Sequence, residues 1–185
     1  MTIAVPSSTL EEFLKLSYID ESPAWEYING EAVQKPRGGG KHRLLQKRLV
    51  AVIDTADSNY EAFLELRFSF GNRSVVPDVV IVASNQIPLD ENGDIASTGI
   101  EFAPAWIIEI LSPDQSQTKV TGNIQYCLRN GTQLGWLIDL RECSILVYQP
   151  NRLPDLGSGS EVLPVLQCIN LNLSVNDLFA WLKRR

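Results

Sequence analysis

Two short apolar runs, each interrupted by one acid, constrain this chain more than any other feature. The first is Val75-Val76-Pro77-Asp78-Val79-Val80-Ile81-Val82-Ala83, and the second is Pro104-Ala105-Trp106-Ile107-Ile108-Glu109-Ile110-Leu111-Ser112-Pro113. Their brevity, β-branched content and bounding prolines predict buried central strands. Alternation along a strand sets Asp78 on one face with Val80 and Val82, and Glu109 with Ile107 and Leu111. A carboxylate among such neighbours loses hydration, which costs several kcal/mol unless a cation or hydrogen bonds compensate. Two such acids on neighbouring strands predict a shared counter-charge, and a divalent metal is the simplest one. The alternative is a pair of strand-end acids, each capped locally by backbone N–H groups.

The segments around these runs predict a mixed α/β domain. Ser8 and Thr9 ahead of Glu11 and Glu12 give two overlapping capping boxes, with Leu10, Phe13, Leu14 and Ser17 as the inner stripe of a short helix. Asn29-Gly30 between Trp25–Ile28 and Glu31–Gln34 predicts a hairpin pairing Ile28 with Glu31 and Glu26 with Val33. That pairing puts Glu26 and Glu31 on one face, either as further metal-seeking acids or as solvated charges.

Gly38-Gly39-Gly40 leads into a helix over residues 41–57, with Leu44, Leu45, Leu49, Val52 and Ile53 inward. Around it cluster Lys35, Arg37, Lys41, Arg43, Lys47 and Arg48, with no acid between Glu31 and Asp54. Cations at a helix N-terminus oppose the macrodipole, and an anionic ligand such as phosphate would relieve the conflict. A solvated basic face is the alternative. The P-loop spacing is absent. His42 is the single histidine, and no G-x-S-x-G elbow accompanies it, which argues against a serine hydrolase. Its expected roles are phosphate binding, support of the site, or merely a place at the helix start.

Residues 61–70 alternate as one strand. Asp90, Asn92, Asp94 and Glu101 fall at calcium-loop positions, but Ile95 stands where that loop needs Gly, so an ordinary loop is expected. Ser112 and Gln115 form a capping box with Pro113 at the first helical position. The helix that follows buries Val120, Ile124, Cys127 and Leu128 and stops at Asn130-Gly131. Strands over 134–140 and 144–149 follow. A last helix is capped by Ser174-Val175-Asn176-Asp177, with Lys183 to Arg185 at its C-terminal end.

Composition narrows the function classes. A 185-residue chain with 44% apolar residues suits one globular domain over residues 1–185. The formal charge of -6 is unlike that of a general nucleic-acid binder, so any such affinity must come from a local patch. Cys127, Cys143 and Cys168 show no paired spacing and read as small buried hydrophobes. Met1–Leu10 has no signal-peptide pattern, and no apolar run approaches the ~18 residues that span a bilayer. A soluble, cytoplasmic protein without a membrane partner is expected.

The ordered set Pro77-Asp78, Glu109-Ile110-Leu111-Ser112-Pro113, Tyr126, Gly131 and Trp136-Leu137-Ile138-Asp139, with the Glu26–Glu31 hairpin and His42 upstream, resembles the Uma family. Its members are bacterial proteins similar to PD-(D/E)XK restriction endonucleases. The resemblance implies a core of helix, three strands, helix, strand, preceded by an N-terminal helix and hairpin. It also implies Mg²⁺- or Mn²⁺-dependent hydrolysis of DNA phosphodiester bonds, for which carboxylate-held metal supplies a nucleophilic water and charge neutralisation. Asp78 and Glu109 would be catalytic metal ligands, with Glu31 as a third. Lys41, His42, Arg43 and Lys47 would meet nucleic acid.

The family's usual lysine two residues after the glutamate is Leu111 here, and its alternative slot, four residues before the tyrosine, is Gly122. Lys119, three residues earlier on the same helix face, is the expected catalytic substitute. The departure leaves a second expectation, a catalytically degenerate module for nucleic-acid or protein interaction. DNA is the expected partner, and a homodimer is one assembly left open.

Overall fold

The computed structural model describes residues 4–6, 9–56, 59–96, 99–113 and 115–183. Two sheets organise it. Strand β1 (Ala4–Pro6) and helix α1 (Leu10–Leu14) come first, followed by β2 (Trp25–Ile28) and β3 (Glu31–Gln34). Thr9 caps α1 by accepting from Glu12 N, which realises one predicted capping register; Ser8, of the other, lies outside the described residues. The helix is too short for the predicted stripe: Phe13 is buried, but Leu14 and Ser17 are exposed. The hairpin forms as predicted, with Ile28 opposite Glu31 and Glu26 opposite Val33. Asn29 and Gly30 take the positive φ values, 54° and 88°, that a tight hairpin turn needs.

Helix α2 spans Gly40–Asp54 and buries Leu45, Leu49 and Ile53 together with two polar residues, His42 and Gln46. Leu44 and Val52, predicted inward, are half-buried. The strand predicted over 61–70 is broken. β4 (Tyr60–Leu64) ends where Glu65 turns to φ 49°, and β5 (Phe68–Phe70) begins again in the other sheet. A positive φ at a non-glycine residue redirects the chain, which period-two patterning cannot register. β6 (Arg73–Val75) pairs back on β5, and β7 (Val79–Ala83) rejoins the first sheet beside β4. The predicted run 75–83 is thus two strands in two sheets, with Val76-Pro77-Asp78 as the link.

β8 (Trp106–Leu111), α3 (Gln117–Arg129), β9 (Leu134–Asp139), β10 (Ser144–Tyr148), β11 (Asp155–Gly157) and α4 (Val175–Ala180) complete the chain. One sheet is ordered β1-β3-β2-β6-β5 and the other β11-β10-β9-β8-β7-β4, with β8 and β9 parallel. The expected sequence of helix, three strands, helix, strand is α2, then β4, β7 and β8, then α3 and β9. α2 and α3 feed separate apolar clusters: Leu45, Leu49 and Ile53 pack with Ile81 and Ile108, while Val120 and Ile124 pack with Val80 and Ile107.

Of the predicted Ser112–Gln115 box one half forms, Gln115 Oε1 accepting from Ser112 N at 3.2 Å, while Gln115 N donates to Ser112 O and α3 starts only at Gln117 with Ser116 as its cap. The bond closes a turn that is not continued as helix. Asn130 and Gly131 (φ 116°) end α3 as predicted, and Ser174 with Asp177 caps α4 reciprocally. Only Cys127 is buried, where burial pushes its thiol up to about 12; Cys143 and Cys168 are exposed. Asp90 Oδ1 accepts from Asn92 N and Asp94 N, an Asx turn of the kind ordinary loops contain. Among the described residues no helix is long and apolar enough to cross a membrane.

Candidate active site

Asp78 and Glu109 come together because of register. Val79 pairs with Ile108 in the antiparallel β7–β8 ladder, so the next position outward sets Asp78 opposite Glu109. Both are 3% exposed. Asp78 is held on every side. Its Oδ1 accepts from Lys35 Nζ at 2.8 Å, and its Oδ2 accepts from Ile110 N at 2.8 Å with His42 Nε2 at 3.0 Å. Glu109 is not held in this way. Among the described residues its carboxyl has one recorded contact, Oε2 to Lys35 Nζ at 3.5 Å, the outer limit of a hydrogen bond.

Lys35 follows the last residue of β3, anchored by its own N–H to Ala24 O at 2.9 Å. Its side chain is nine-tenths buried, and Nζ also donates to Val76 O at 2.6 Å. The shared counter-charge that the two acids demand is therefore an ammonium. The sequence had placed this lysine in the basic cluster around α2. Glu26, the buried acid of the hairpin, accepts from Val76 N at 2.8 Å. Glu31 is exposed beside the hairpin turn, about 13 Å of strand from Lys35.

His42 and Gln46 lie one turn apart on the buried face of α2. Gln46 Nε2 donates to Asp78 O at 3.1 Å and to Glu65 Oε1 at 3.3 Å, which turns Oε1 toward His42 Nδ1 at 3.2 Å. By that assignment both ring nitrogens of His42 face acceptors. Gly38 is needed for this packing, since a Cβ there would lie 2.5 Å from His42 Nδ1. Lys41, Arg43 and Lys47 are exposed along α2. Gly39 caps the helix without a side-chain bond, and no acid stands in the first turn. A narrow cleft with about 30 Å³ of free volume runs past Lys35, Arg37, His42, Arg43 and Asp78. Lys119 is exposed on α3, without a recorded contact to either acid.

The charges interact strongly. Burial alone would raise Asp78, but Lys35 and the His42 hydrogen bond override it and hold the carboxyl well below its ordinary value. Burial pushes Glu109 well above its ordinary value of 4.5; Lys35 pulls against this, and Asp78 and Glu26 add to it. Glu26 is raised for the same first reason, burial, against Lys35 and the Val76 N–H. Burial would lower Lys35, but Asp78, Glu109 and Glu26 together keep it protonated far above its ordinary range. One tightly held carboxylate and one poorly satisfied carboxyl thus share a buried cation.

The donor chemistry suits a hard divalent ion in part. Among the described residues no group of three His, Cys, Asp or Glu side chains is arranged to hold a metal ion. Two facing carboxylates, with Asp78 on the wall of the cleft, nevertheless match the habit of Mg²⁺, which takes one or two carboxylates and fills its shell with water and phosphate oxygens.

The Uma2 family, described as "Putative restriction endonuclease", matches residues 10–176. Among solved structures, the chain is similar to a protein of Anabaena variabilis ATCC 29413 described as "a putative nuclease belonging to DUF820". The two share 47% identity and a TM-score of 0.90, over 95% of this chain and 99% of that one. No curated protein matches the chain.

Proposed function

Because the chain belongs to the Uma2 family, we propose that it is a metal-dependent endonuclease that hydrolyses phosphodiester bonds of DNA, with Asp78 and Glu109 as its metal ligands. Family and structural neighbour alike support a nuclease. The observation that carries the finer reading is the Glu109 carboxyl, which is buried, faces Asp78 and is left almost without hydrogen bonds. A buried acid in that condition is costly unless a ligand completes it. Bound there, Mg²⁺ or Mn²⁺ would polarise a phosphoryl oxygen and supply a nucleophilic water.

The chain's own residues do the rest. His42 and Ile110 N fix the Asp78 carboxylate, and Gln46 fixes His42. Lys41, Arg43 and Lys47 present charge on the exposed side of α2 for the DNA backbone. Its uncapped first turn offers further N–H groups to phosphate. His42 itself, buried with both nitrogens engaged, orients Asp78 rather than meeting DNA. The hairpin contributes Glu26 to the acid cluster, with Glu31 outside it.

The test is cleavage of supercoiled plasmid by the full chain in Mg²⁺ or Mn²⁺, with Asp78→Asn and Glu109→Gln as controls. Nicking that vanishes in both variants and in chelator is expected. Nicking that persists in both would move the chemistry elsewhere. A second reading, a binding module that has kept the fold, is favoured by Leu111 and Gly122 at the usual lysine positions. It predicts DNA retention in Mg²⁺ without any nicking.

A further inference from the structure

We infer that Lys35 is the catalytic lysine of this site and that it works by exchange: its ammonium bridges Asp78 and Glu109 until a divalent ion takes that place, and then contacts the scissile phosphate. The inference rests on the metal-dependent reading above. Nζ lies 2.8 Å from Asp78 Oδ1 and 3.5 Å from Glu109 Oε2, which is where a cation shared by the two acids has to be. Two positive charges could not occupy it together, so the Lys35 ammonium would have to leave when a divalent ion was bound. The lysine stem is flexible, and its point charge is free to follow a new anion. Lys35 lines the cleft together with Arg37 and Arg43, and its freed ammonium would turn there. Among the described residues Lys35 is the lysine with a recorded contact to either acid.

In the reaction, water gives its oxygen and one hydrogen to phosphorus. The bond from phosphorus to the leaving sugar oxygen breaks with its electron pair, and the second water proton ends on that oxygen through solvent. Lys35 keeps its protons throughout and offsets the negative charge on the non-bridging phosphoryl oxygens.

Three measurements on the full chain test this. Calorimetric titration with Mn²⁺ should find Lys35→Gln binding about tenfold more tightly than wild type, because a like charge no longer competes for the place between the two acids. Plasmid cleavage by the same variant should fall about a hundredfold, the usual loss on removing one charge-stabilising donor, and Lys35→Arg should recover part of it. In wild-type protein, saturating Mn²⁺ should increase reductive methylation of the Lys35 amine, read by mass spectrometry. This last measurement decides the exchange even if Lys35→Gln does not fold.

Equal or weaker Mn²⁺ binding by Lys35→Gln, or methylation unchanged or reduced by Mn²⁺, overturns the exchange. Tighter binding with faster cleavage makes Lys35 an inhibitory plug and overturns its catalytic role. Absence of Mn²⁺ binding in wild type and variant alike sinks the metal-dependent reading itself. Binding only in the variant means that Lys35 bars the ion from wild type, and it overturns the exchange.

Discussion

Asp78 and Glu109 look equivalent in the sequence, yet their surroundings predict opposite responses to neutralisation. In Asp78→Asn the charge that Lys35 and His42 face is lost. All three neighbours of the carboxylate are positioned to donate, so the new amide N–H₂ must point at another donor. Breaking a buried pair from one side costs about 3–5 kcal/mol. At roughly 2–4 °C per kcal/mol for a chain of this size, the melting temperature should drop by about 6–20 °C. In Glu109→Gln the replaced carboxyl has one long contact, and burial already favours its neutral form. The expected cost is below about 1 kcal/mol, the size of one ordinary hydrogen bond.

The two acids also differ in the sign of their pH dependence. Glu109 has a raised folded-state pKa, so its contribution is intact below its ordinary value of 4.5 and is lost as pH rises above it. Glu109→Gln should therefore gain on wild type as pH climbs above 4.5. Asp78 has a lowered pKa, so its contribution is present above its ordinary value of 3.8 and is lost on acidification below it. Thermal unfolding in chelator, from below pH 3.8 to well above 4.5, measures both effects. Equal losses for the two variants at neutral pH would refute the asymmetry, and with it the view that Glu109 is the under-satisfied partner.

Three further outcomes are expected. Gly38→Ala should force His42 to move and destabilise the fold by about 1–3 kcal/mol, whereas Gly40→Ala, inside α2 with open space around its Cβ, should be neutral or stabilising in urea denaturation. Lys119→Ala should keep both stability and metal-dependent cleavage, since the residue is exposed and has no recorded contact to the acids; loss of cleavage alone would return the lysine role to α3. Replacing Lys41 and Arg43 with Ala should flatten the salt dependence of duplex binding by about one unit of log–log slope per lost phosphate contact, read by fluorescence anisotropy.

What the sequence made legible was whatever depends on neighbours in the chain. Asn29-Gly30 determines its own turn, and the turn sets the hairpin register. The apolar runs declare burial, and one acid in each declares a counter-charge. The identity of that counter-charge was not legible, because Lys35 lies 43 residues from Asp78 and 74 from Glu109. On composition alone it belonged with the cations of α2, most of which are exposed. Nor could alternation reveal the break at Glu65, since Phe63, Glu65, Arg67 and Ser69 keep the period across it. Buried Arg67, bound to Asp20, Ser74 and Ile19 O, was the one discordant sign in that stretch.

The two departures from a simple strand pattern are one structural event. The chain leaves the six-stranded sheet at Glu65, makes the β5–β6 hairpin in the other sheet, and returns at Asp78. Backbone groups at such a crossing have no ladder partners, and buried ones must be satisfied by other means. Glu26 accepts from Val76 N, Lys35 donates to Val76 O, and Gln46 and the Glu65 N–H donate to Asp78 O. The side chains proposed for metal and phosphate chemistry, or for orienting it, are thus in part the ones that close the seam between the sheets. This explains why a polar cluster persists at the junction of apolar strands, and it sets a condition on every mutation there. A loss of cleavage at Glu26, Lys35 or Gln46 is evidence of chemistry only when the melting temperature of the same variant shows that the seam has stayed closed.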